Sequence, residues 1–86
     1  MSASSETTVV LPADLHARPA GALVRAVAGF ASTVEIHFGG RQVNARSVLA
    51  VMGLNARAGS SVLVRAMGED AGAAVDAAVA VLAVTE

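Results

Sequence analysis

The chain has 86 residues, enough for one domain with a single modest core. Apolar residues make up 55% and charged residues 15%, the reverse of a disordered composition. Six arginines, no lysine and seven acids give a formal net charge of −1, which excludes the basic footprint of a nucleic-acid binder and the cationic face of a membrane-surface protein, while the absence of cysteine excludes disulfides and thiolate chemistry.

Residues 1–6 are small and polar and read as a frayed start to one domain spanning 1–86. They have neither a basic start nor a long apolar core, so no secretory signal is expected. No apolar run approaches the roughly 20 residues that span a bilayer. A soluble, cytoplasmic protein is expected. Thr7 to Leu11 is β-branched and apolar and predicts a strand, ended by the turn residues Pro12, Ala13 and Asp14. A helix is predicted from close to Pro19, because proline suits the first turn. Ala20, Leu23, Val24, Val27 and Ala31 fall on one face of it, and Gly29, Ser32 and Thr33 mark its end. Val34, Ile36 and Phe38 alternate with Glu35 and His37, as in a half-buried strand.

Gly39 and Gly40 predict a tight hairpin, returning as Arg41 to Ala45 with Val43 inward. Ser47 opens a short helix from Val48 to about Gly53, and 54–59 reads as a loop. Ser60 to Met67 alternates as a fourth strand, with Val62 and Val64 on one face and Leu63 and Arg65 on the other. Gly68, Glu69 and Asp70 are expected to cap a last helix reaching about Val84, with the acids complementing its positive end. Its inner stripe is Ala71, Val75, Ala78 or Val79, and Leu82. The order β-α-β-β-α-β-α allows three helices over one face of a four-stranded sheet, a two-layer sandwich. Periodicity alone leaves the strand order open.

His16 lies between a turn and a helix start. A helix N-terminus offers unpaired backbone N–H groups and partial positive charge, which together form an anion cradle. An imidazole there is either a solvated or capping residue or a nucleophile toward a phosphoryl donor. Arg18, two residues on, can reach the same anion with paired donors. Pro19 fixes the helix start and hence the angle of His16. His37, on the polar side of its strand, reads as solvent-facing, and no second histidine or cysteine lies at ligand spacing, so no metal and no cofactor are expected. There is no glycine-rich loop with lysine for nucleotide hydrolysis.

The segment Leu15-His16-Ala17-Arg18-Pro19-Ala20 resembles the active-site signature of the HPr family, the histidine-containing phosphocarriers of the bacterial sugar phosphotransferase system. The segment Asn44-Ala45-Arg46-Ser47-Val48-Leu49-Ala50-Val51-Met52-Gly53-Leu54 resembles the family stretch that carries a regulatory serine, at a matching separation. The resemblance runs over about 80 residues. It implies an α+β fold, an open-faced sandwich whose four-stranded antiparallel sheet is covered on one face by three helices. It implies that His16 takes a phosphoryl group on Nδ1 from enzyme I, charged by phosphoenolpyruvate, and passes it to an enzyme IIA histidine. Arg18 would bind the phosphate, and Ser47 would be open to an HPr serine kinase in some bacteria.

From its residue type alone, Ser47 is a helix N-cap, a role compatible with modification. Leu49 and Met52 are either core or, by the family parallel, partly partner-facing beside Pro19. Arg25 and Arg46 are either solvated charges or an electrostatic rim to that surface. The carrier would be a monomer, with no nucleic acid and no membrane insertion. A regulatory HPr-like or nitrogen-branch phosphocarrier, acting as a phosphorylation-dependent binding module, is the alternative, and an enzyme using His16 as a general base is a third reading. The chain departs from the family pattern at Asp14, where glycine is usual. Asp14 can cap the first helix region, hydrogen-bond His16 or repel an incoming phosphate. Asn55 also replaces a common glycine and tolerates left-handed backbone.

Overall fold

In the computed structural model, which describes residues 3–84, seven elements follow the expected order: β1 (Ser4–Val10), α1 (Ala17–Val27), β2 (Thr33–Phe38), β3 (Arg41–Asn44), α2 (Val48–Gly53), β4 (Ser61–Met67) and α3 (Ala71–Val84). The sheet order is β1-β4-β2-β3, and every neighbouring pair is antiparallel. This is the α+β open-faced sandwich. β1 begins at Ser4, paired with Met67, so residues 4–6 are strand rather than frayed, while residues 1 and 2 lie outside the described range. Nothing local makes Ser4, Ser5 and Glu6 extended. The ladder to β4 supplies the backbone partners that their own sequence does not.

The alternation of β-branched residues decides which face is buried. Val9 pairs with Val62, Val64 with Ile36, and Ala66 with Val34, all on the helix-covered side and all buried. Glu6, Arg65 and Glu35 form one cross-strand row on the other face, so opposite charges alternate across the sheet. His37 follows Glu35 on that face and is half-buried rather than fully solvent-facing: its side chain is 24% exposed and its Nε2 lies 3.0 Å from Glu35 Oε1. The hairpin uses Gly39 (φ 60°) and Gly40 (φ 77°), the two positive values that a tight turn matching strand twist demands.

Helix α1 buries Pro19, Ala20, Leu23 and Val27. It ends at Val27, so Ala31 is exposed in the following loop rather than on the helix face. Helix α3 buries Ala71, Ala74, Val75, Ala78 and Leu82. Its small inner residues allow it to lie close to the sheet and to α1. Ser47 caps α2, its Oγ accepting from Ala50 N–H at 3.2 Å, an interaction typically worth about 1 kcal/mol.

The connection from α1 to β2 has no regular structure, and two distant side chains satisfy its backbone. Asp70 accepts from Ala31 N–H and Ser32 N–H, each at 2.9 Å, and from the Ser32 hydroxyl. Its carboxylate therefore serves this loop, and the first turn of α3 contains no acid. Arg46 donates to Ser32 C=O at 3.0 Å, Val27 C=O at 3.1 Å and Phe30 C=O. Gly68 (φ 143°) runs against the same loop, and a Cβ there would meet Ser32 Cα at 2.8 Å.

Three substitutions test the junction between this loop and α3. Gly68→Ala is expected to cost about 1–3 kcal/mol in urea unfolding, from positive φ and the clash together. Gly72→Ala, whose Cβ meets nothing within 4 Å, is expected to gain about 0.5–1 kcal/mol of helix propensity. The Asp70 carboxyl is held below its ordinary value of 3.8, first by the Ser32 hydroxyl and then by the Ala31 amide. A depressed carboxyl pKa stabilises the fold at neutral pH, and that contribution disappears as pH falls through the folded value. Asp70→Asn should therefore lower Tm at pH 7, and the gap to the parent protein should close as pH drops below 3.8.

Candidate functional site

Leu11 and Leu15 anchor the segment between β1 and α1 in the core, each 2% exposed. Its backbone finds partners in the loop after α2. Leu11 N–H donates to Ser60 C=O at 2.9 Å, Gly59 N–H to Leu11 C=O at 2.8 Å, and Leu15 N–H to Ala56 C=O at 2.9 Å. Asn55 (φ 55°) and Gly59 (φ 89°) supply the left-handed turns that bring that loop round. His16 follows directly. It is the N-cap of α1, in extended conformation, and its side chain makes no capping bond. The helix therefore starts two residues before Pro19, which occupies its third position.

His16 C=O accepts from Ala20 N–H at 2.9 Å, the first helical bond. The amides of Ala17 and Arg18 precede that bond and have no intrahelical acceptor. The His16 side chain is 73% exposed. The site thus combines an open imidazole, two uncommitted amides at the positive end of a helix, and the Arg18 side chain, exposed and without a side-chain partner among the described residues.

Asp14 lies beside His16, with Oδ2 3.5 Å from its Nε2. Oδ1 accepts from Ala58 N–H at 2.8 Å. That bond, then the charges of His16 and Arg57, hold the carboxyl below its ordinary value. Asp14 therefore faces His16 and the loop 56–58, and does not cap α1. Nothing in the sequence marks Arg57: it lies in an irregular loop more than 40 positions from Asp14, and only the loop-to-loop pairing brings it close.

The family described as PTS HPr component phosphorylation site matches residues 3–83. The chain belongs to the HPr phosphocarrier family. The phosphocarrier protein HPr of Cupriavidus necator is 38% identical over 78 residues, covering 91% of this chain and 88% of its own. That of Lysinibacillus sphaericus is 38% identical over 74 residues, covering 86% and 84%. The solved structure of HPr from Thermoanaerobacter tengcongensis superposes with a TM-score of 0.84 at 31% identity, over 91% of this chain and 90% of that one. Membership makes the chain a phosphocarrier of the phosphotransferase system rather than a catalytic enzyme, acting with other components of that system. Among the described residues, no helix is long and apolar enough to cross a membrane.

The remaining residues singled out by the HPr resemblance divide. Leu49 is 82% exposed at the start of α2, and Met52 is partly buried against the core. Arg25 is exposed in the last turn of α1, its guanidinium lying back over Gly21. Pro19, expected toward partners, is buried in the α1 core face. Arg46, expected at an electrostatic rim, is exposed and commits its guanidinium to the C-terminal end of α1, where a cation complements the negative helix end. Arg41 plays the same part for α2, donating to Gly53 C=O at 2.8 Å. Arg46→Ala should therefore cost about 1–3 kcal/mol in urea unfolding, by leaving carbonyls unpaired. Arg25→Ala should change stability by less than about 0.5 kcal/mol in the same measurement.

Proposed function

We propose that His16 Nδ1 accepts a phosphoryl group from enzyme I, itself charged by phosphoenolpyruvate, and passes it to a histidine of an enzyme IIA domain during sugar uptake. The observation that carries this reading is the exposed imidazole at the N-cap of α1, beside the uncommitted amides of Ala17 and Arg18. In each transfer one N–P bond forms as another breaks, and the leaving nitrogen keeps the electron pair. The amides and the Arg18 guanidinium stabilise the phosphoryl oxygens by charge and donors already in place. An open site holds the group weakly enough to release it. No cofactor takes part.

Docking of enzyme I and enzyme IIA is assigned to Arg25 in the last turn of α1 and to Leu49 and Met52 on α2. An exposed leucine next to a half-buried methionine, with a cation at the edge, is a suitable patch for a transient partner. Arg46 and Pro19 are left out of that surface. Ser47 is assigned as the regulatory position. A phosphate on its oxygen would meet the start of α2 without unfolding it, and its charge would oppose acidic partner surfaces. The reading makes the carrier a cytoplasmic monomer of one domain.

Incubation with enzyme I and phosphoenolpyruvate is expected to place one acid-labile phosphate on the chain. His16→Ala should carry none. Arg18→Ala should keep the site but slow uptake by about tenfold or more. An intact protein that stays unmodified, or a His16→Ala variant that still takes acid-labile phosphate, would overturn the assignment.

A further inference from the structure

We propose that Asp14 is a positioning residue: it keeps the imidazole proton of His16 on Nε2, and so presents Nδ1 to the donor as a bare lone pair. The inference deepens the carrier reading and rests on it for its consequence. A glycine at this position would have no side chain to do this.

The two oxygens of Asp14 have different duties. Oδ1 is occupied by Ala58 N–H at 2.8 Å, and Oδ2 lies 3.5 Å from His16 Nε2. The backbone fixes the pair, because His16 N–H donates to Asp14 C=O and Leu15 N–H to Ala56 C=O, each at 2.9 Å. An ionised carboxylate only accepts hydrogen bonds, and a neutral imidazole carries a single N–H. The nitrogen facing the carboxylate is therefore the protonated one, which sets the tautomer. When Nδ1 attacks, its lone pair forms the new N–P bond, and the pair from the broken bond stays on the donor nitrogen. No proton has to leave Nδ1. The ring becomes cationic with its Nε2–H toward Asp14, and the return step restores the neutral ring, again without proton movement. A bare carboxylate would repel the incoming phosphate, but here the Ala58 amide and the positive charge of Arg57 face it from the neighbouring loop.

Two substitutions separate positioning from simple support of the loop. Asp14→Ala removes both contacts. Asp14→Asn keeps an oxygen for the Ala58 amide, which turns its NH2 group toward Nε2. A donor there makes Nε2 the acceptor and moves the proton to Nδ1, blocking the nucleophile. Two-bond 1H–15N correlation spectra of the full-length labelled chain, taken with the ring neutral, read the tautomer directly. The Nε2–H fraction is expected to fall in the order parent, Ala, Asn, with Ala near the ratio of free histidine. Initial phosphoryl uptake from enzyme I should follow the same order and drop several-fold in Asn.

A merely structural Asp14 predicts the order parent, Asn, Ala, with the near-isosteric Asn closest to the parent in both measurements. That order, or equal tautomer ratios in all three proteins, would overturn the inference. If even the parent protein takes no phosphate, the carrier reading fails, and the tautomer order still decides the role of Asp14.

Discussion

The site depends on one constraint: the segment from Leu11 to His16 has no regular structure, so its backbone groups need partners from elsewhere. Buried amides and carbonyls left unpaired would each cost free energy comparable to a lost hydrogen bond. The loop 56–60 supplies those partners, and Leu11, Leu15, Leu54 and Ala56 close over the junction. Two pieces of irregular chain thereby act as one rigid support. The position of His16 is set as much by the turn after α2 as by its own helix. The left-handed residues Asn55 and Gly59 lie far from it in sequence and still determine where it points.

The same economy applies at the other end of α1. The loop that leaves the helix offers its amides to Asp70 and its carbonyls to Arg46. Acid and base approach from different elements and never need to meet. The near-neutral charge of the chain therefore conceals a division of labour among its arginines. Arg41 and Arg46 close helix ends, Arg65 lies between two glutamates on the sheet, and Arg57 faces Asp14. Arg18 and Arg25 remain exposed along α1.

Local features were the legible ones. Alternation in Val34, Ile36 and Phe38, the paired glycines of the hairpin and the serine before α2 each carry a short-range physical reason, and each stands in the fold as the sequence implies. His16 was marked by its place before a helix. What the sequence did not display depends on residues far apart along the chain. Ser4 to Glu6 look frayed because their partners are residues 65–67. Asp70 looks like a cap for the helix it precedes, yet the amides it serves are 38 and 39 positions away. Arg46 looks like a free surface charge because its acceptors are 14 to 19 positions earlier. Pro19 looks like a helix-starting residue on the rim, but the helix begins two residues sooner and turns it inward.

The strand order also bears on how the chain is made. β4, the last strand in sequence, lies between β1 and β2, the first two. During synthesis the β2–β3 hairpin can close as soon as it emerges, whereas β1 has no neighbour until residues 61–67 exist. Pairings between such distant segments form late and slowly. The nascent chain must therefore carry β1 unpaired until β4 has emerged, and the His16 support cannot form before the loop 56–60 has left the ribosome. A truncated product would keep the Leu15-His16-Ala17-Arg18-Pro19-Ala20 motif while lacking the geometry that gives it meaning.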